Sequence, residues 1–214
     1  MIPVGDNDQG LITPVTTAII VLNVIMWIME LRSGESFLIK WIFIPSRFLA
    51  NPGSQWVTII SSMFMHASLL HLAGNMIFLW VFGNTVENAF GPVEFALFYL
   101  ACGVLATLAQ LLIGRGGNVP SLGASGAIAG VMGAYLIMFP TYTIRLLVVT
   151  RVFPISALVL IGAWIMLQLL NEFLASQSGR QRGGGVAYMA HIGGFVAGLL
   201  LTMLITGRGW NLPI

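Results

Sequence analysis

Six long apolar stretches, separated by shorter polar ones, set the plan of this chain. They run from Thr13 to Met29, Met65 to Phe82, Phe95 to Ile113, Leu122 to Phe139, Val152 to Leu170 and Ala187 to Ile205. A helix that crosses the hydrocarbon core of a bilayer needs about 20 mostly apolar residues. The pattern therefore predicts an all-α membrane protein, a bundle of six transmembrane helices forming one domain over residues 1–214. Residues 1–12 read as a short N-terminal tail and 207–214 as a C-terminal one. An even number of crossings puts both termini on one side. It also makes segments two, four and six run in the same direction.

Residues 31–62, between the first two crossings, are neither loop-like nor long enough to span again. Trp41, Ile42, Phe43, Ile44, Phe48 and Trp56 are interspersed there with Lys40, Arg47, Pro45 and Pro52. That mixture suits a hairpin lying in the membrane interface. Between segments five and six, Ser176 to Gly185 is polar and holds three consecutive glycines, Gly183 to Gly185. Such a linker is flexible, and over a site it would serve as a lid.

Composition narrows the class. With 57% hydrophobic residues, 7% charged residues and a mean hydropathy of +0.93, a water-soluble domain is excluded. Nine Lys/Arg against seven Asp/Glu are too sparse for a nucleic-acid groove. The lone Cys102 lies within an apolar run, which leaves it a packing role and excludes a disulfide framework. Residues 1–10 lack a basic region, which argues against a cleaved secretory signal. With the N-terminus inside, the inner loops hold Arg145, Arg151 and Arg208, while the outer ones hold Arg32, Lys40, Arg47, Arg115, Arg180 and Arg182. The charge count by itself favours the opposite orientation.

Candidate chemistry gathers on the even-numbered segments. His71 and Asn75 are four apart on one face early in segment two; Ser125 and His191 lie in the opening turns of segments four and six. Because these segments are parallel, the four side chains fall at one level, on the order of 5 to 10 Å below one membrane surface. Segment four carries the small-residue row Gly126, Gly130, Ala134 and segment six the row Ala190, Gly194, Gly198. Rows of this kind let two backbones approach closely and would set Ser125 beside His191. A serine hydroxyl is a poor nucleophile until a neutral imidazole takes its proton, and the resulting oxyanion needs fixed donors. Asn75, His71 and the Ser125 backbone N–H can supply them. No carboxylate stands at that depth, so the mechanism would use a Ser/His dyad. Three readings compete. Small residues and a serine are the ordinary packing surface of membrane helices. Zinc on the three histidines is disfavoured by the five-residue spacing of His66 and His71 and by the lack of an accompanying carboxylate. A transporter would want internal repeats, and none is evident.

These residues resemble the rhomboid intramembrane serine proteases over nearly the whole chain. The similar motifs are His66-Ala-Ser-Leu-Leu-His71-Leu-Ala-Gly-Asn75, Gly83-Asn-Thr-Val-Glu87-Asn-Ala-Phe-Gly91, Gly123-Ala-Ser125-Gly126 and His191-Ile-Gly-Gly194-Phe-Val-Ala-Gly198. The resemblance implies a protease that cuts transmembrane segments of other proteins, with Ser125 as nucleophile and His191 as general base. It implies oxyanion assistance from His71 and Asn75 and structural roles near the site for His66, Glu87, Gly123, Gly126, Gly194 and Gly198. It further implies a cell membrane with both termini cytoplasmic, transmembrane proteins as substrates, no cofactor and no metal. No sequence feature sets an oligomeric state. The alternative is an inactive rhomboid-like protein that binds transmembrane clients. Two departures stand out: Val57 and Thr58 occupy the positions of the family's frequent Trp-Arg pair, and Ala129 occupies that of an aromatic residue often packed on the histidine.

Overall fold

The structure, a computed structural model, describes residues 2–8, 12–113, 119–178 and 186–207. It is mostly helical. Helix α1 (Pro14–Ser33) is followed by four short helices, α2 (Glu35–Trp41), α3 (Pro45–Ala50), α4 (Pro52–Gln55) and α5 (Thr58–Ser61). Next, α6 (Leu69–Phe78) continues through a widened π-type turn, Leu79–Gly83, into α7 (Asn84–Phe90). The remaining helices are α8 (Pro92–Ile113), α9 (Ser125–Met138), α10 (Ala157–Ser178) and α11 (Tyr188–Thr206). Among the described residues, five helical stretches are long and apolar enough to cross a membrane: α1, the continuous Leu69–Phe90, α8, α10 and α11. The protein is therefore an integral, multi-pass membrane protein. Leu22, Ile25 and Met29 on α1 and Leu167 and Leu170 on α10 are exposed, an apolar outer surface suited to lipid.

Local chemistry sets the helix boundaries. Pro14 opens α1, where a missing N–H does no harm. The first turn of α1 is capped from afar by the Glu87 carboxylate. It accepts from the Val15 N–H at 2.9 Å, and from the Thr16 N–H and Thr13 hydroxyl at 2.6 Å each. The Ser68 hydroxyl oxygen accepts the His71 N–H at 3.1 Å and starts α6. Gly91, at φ +87°, ends α7, and Pro92 begins α8.

The 14-residue α9 is too short for the hydrocarbon core at about 21 Å, but it is an interior helix. Every side chain from Ala127 to Leu136 is buried. Its closest neighbour is α11: a Cβ on Gly194 would overlap the Gly126 carbonyl oxygen, and one on Gly198 would overlap that of Gly130. The two small-residue rows face each other as the sequence predicts. Cys102 of α8 is a buried free thiol against Gly130, consistent with packing.

The all-α reading is corrected at one end of the molecule, where three strands form an antiparallel sheet in the order β1 (Ile2–Gly5), β2 (Thr143–Val148), β3 (Arg151–Ser156). Ile144 pairs with Ile155 and Leu146 with Phe153, and both β2 residues are buried. The apolar stretch starting at Val152 is thus strand before it is helix, and α10 starts at Ala157. Part of the expected N-terminal tail is an edge strand. Asp6, just beyond it, is buried and accepts the Tyr135 hydroxyl at 2.7 Å and the Thr85 hydroxyl at 2.6 Å. Both edge strands carry a proline, Pro3 and Pro154, at positions where an interior ladder bond would be lost.

Within 31–62, α1 runs on to Ser33 and the short helices follow. The Arg47 guanidinium donates to the carbonyls of Ile39 and Ile42, both at 2.7 Å, and ties α3 to the end of α2. Most of the glycine linker expected to act as a lid, from residue 179 to 185, lies outside the described residues, as does 208–214 of the C-terminal tail.

Candidate active site

Ser125 is the first residue of α9, and the backbone before it is held from two sides. Phe43 and Ser121 exchange N–H to carbonyl bonds of 3.2 and 2.8 Å, and the Gly123 N–H donates to the Ser62 carbonyl at 2.8 Å. The chain then turns at Gly123, whose φ of +102° favours glycine. Space demands glycine as well. A Cβ there would lie 2.8 Å from the His71 imidazole and 3.3 Å from Asn75 Nδ2. His71 and Asn75, one turn apart on α6, therefore stand against the loop that presents the serine.

The close contact of α9 and α11 brings Ser125 Oγ to 2.7 Å from Nε2 of His191, in the first turn of α11. These groups open into a cavity of about 480 Å³, lined also by His71, Asn75, Phe78, Met132 and Trp164. Asn75 is buried, and its Nδ2 has no partner among the described residues. The first N–H groups of α9 have no intrahelical acceptor and carry the positive end of the helix dipole. With its proton on Nδ1, His191 offers a lone pair on Nε2 to the serine hydroxyl. The site thus combines an acceptor for the serine proton with donors suited to a developing oxyanion in a largely apolar cavity.

Two residues escaped the sequence reading. His191 Nδ1 is 2.9 Å from Oε1 of Gln168 on α10, and the Trp164 ring lies against the imidazole with centroids 5.9 Å apart. Both belong to an odd-numbered segment, outside the parallel set whose helix starts align. The available signal was an amide one turn after a tryptophan, flanked by leucines. Ala129, by contrast, is fully buried in the α9 core, so an aromatic support for His191 comes from Trp164 instead.

His66 and Glu87 make connecting contacts. The buried His66 ring packs edge-on to His71 with centroids 5.1 Å apart, and its backbone N–H donates to Glu30 at 3.1 Å. Glu87 caps α1 as described above. Among the described residues, no three His, Cys, Asp or Glu side chains converge as metal ligands would.

Residues 53–208 match the Rhomboid domain. The chain is 31% identical over 193 residues to the mitochondrial Rhomboid protein 1 of Saccharomyces cerevisiae, covering 86% of this chain and 51% of the relative. It is 29% identical over 194 residues to the chloroplastic Rhomboid-like protein 11 of Arabidopsis thaliana, covering 86% and 66%. It is 38% identical over 97 residues to the mitochondrial Presenilin-associated rhomboid-like protein of Bos taurus, covering 44% and 26%. The chain spans less than two thirds of each relative's length.

Proposed function

Because the chain belongs to the rhomboid family, we propose that it is an intramembrane serine protease in which Ser125 and His191 cleave transmembrane segments of other membrane proteins. The 2.7 Å contact between Ser125 Oγ and His191 Nε2 carries this reading. As Oγ attacks the scissile carbonyl carbon, Nε2 takes its proton. Asn75 Nδ2, His71 and the Ser125 N–H stabilise the oxyanion. When the tetrahedral intermediate collapses, His191 gives the proton to the departing amine, leaving an acyl-serine. A water molecule then attacks that ester with His191 again as base, which releases the new carboxyl end and restores Ser125. His66, Glu87, Gly123, Gly126, Gly194 and Gly198 hold this arrangement without reacting. Neither cofactor nor metal takes part.

The proposed topology has six crossings, with α9 as the short interior one. Non-helical backbone before Ser125 is tolerable at membrane depth because it is enclosed by protein or lines the cavity. The pairing of β1 with β2, which follows α9, supports placing the N-terminus and the α9–α10 connection on one side. Residues 31–62 form the interfacial collar. We assign the protein to a cell membrane with cytoplasmic termini. The mitochondrial and chloroplastic names of relatives favour an organelle membrane as the second reading.

Cleavage of a reporter transmembrane protein in proteoliposomes tests the function. Ser125→Ala and His191→Ala each abolish cleavage while the protein folds, and the double variant is no worse than either single one, since the pair acts as a unit. Prolonged chelation leaves the rate unchanged. Full activity in either single variant would instead fit a different catalytic apparatus.

A further inference from the structure

We propose that Gln168 is a positioning residue that holds His191 in the tautomer and orientation needed to accept the Ser125 proton. The proposal rests on the reading of Ser125 and His191 as the reacting pair. A neutral imidazole exists in two tautomers, and only the one protonated at Nδ1 presents its Nε2 lone pair to Ser125. An acceptor fixed at Nδ1 selects that form, and Gln168 Oε1 stands there at 2.9 Å.

Geometry on α10 strengthens the assignment. Trp164 and Gln168 are four residues apart and share one face of the helix, so both reach His191. Trp164 restrains the plane of the ring, while the amide restrains rotation within that plane. Next to Gln168 on α10, Met166, Leu167, Leu169 and Leu170 are apolar and exposed, with Asn171 and Glu172 following one turn on. An amide in such a setting needs a partner, because unsatisfied polar groups are costly there. The choice of amide also fits the depth. A carboxylate would orient the imidazole as well, but it would add a second charge to a membrane-spanning segment that already carries Glu172 one turn along. Gln168 orients His191 without adding that charge.

Two measurements on the full chain in detergent test the assignment. In ¹⁵N-histidine spectra, the signals lost in His191→Asn identify His191. In the wild-type protein they show protonated Nδ1 and unprotonated Nε2; in Gln168→Leu they show a mixture of tautomers. This readout does not require cleavage. With the reporter substrate, Gln168→Leu lowers kcat by about 10- to 100-fold with KM unchanged, as expected for a misoriented base. Gln168→Glu, which keeps the acceptor oxygen, recovers most of kcat. An unprotonated Nδ1 in the wild type overturns the proposal, as does a wild-type tautomer and kcat in Gln168→Leu. A chain that cleaves nothing, yet whose His191 tautomer depends on Gln168, supports the positioning contact and overturns the protease reading alone.

Discussion

Asn75 Nδ2 is a buried donor with no partner among the described residues, set in the cavity that holds Ser125. Leaving a buried donor unpaired is unfavourable, and a developing oxyanion would relieve it. Asn75→Ala is expected to reduce kcat by about 10² to 10³, typical of one lost oxyanion donor. Unchanged turnover would make Asn75 a packing residue. Ser125, His191, His71 and Asn75 were legible because parallel segments put the starts of three helices at one level. Gln168 was not, since a glutamine in an apolar helix gives no sign of which side chain it meets.

Helix α10 does the supporting work that the family resemblance places on α9. Position 129, where that resemblance implies an aromatic ring against His191, is an alanine sealed within the core, and Trp164 packs on the imidazole. Ala129→Phe is accordingly expected to overpack, destabilising the protein by about 1 to 3 kcal/mol and slowing cleavage. Thermal stability and turnover measured together test this; a faster and equally stable variant would show that His191 lacks support. The contact of α9 with α11 was legible because glycines four residues apart mark a route for close backbone approach. The sheet was harder to see. Residues 143–148 alternate inward Ile144 and Leu146 with Arg145, but Val152-Phe153-Pro154-Ile155 merges with the apolar helix that follows. A short apolar run does not separate strand from buried helix by periodicity.

For the molecule as a whole, hydropathy made the membrane class plain, and five helical stretches among the described residues bear it out by length and composition. Hydropathy says little about which segments face lipid. It gave α9 the same status as the others, although that helix is short and enclosed while α1 and α10 carry the exposed apolar surface. The enclosed helix also carries Ser125, with the cavity above it built from α6, α8, α10 and α11. The central claim is that this serine is an activated nucleophile, and a serine-directed fluorophosphonate with peptide mapping tests it most directly. The account predicts one adduct, on Ser125, formed by the wild-type protein and lost in His191→Ala. A folded wild-type protein that forms no adduct at Ser125, or one whose labelling is unchanged by His191→Ala, would contradict it.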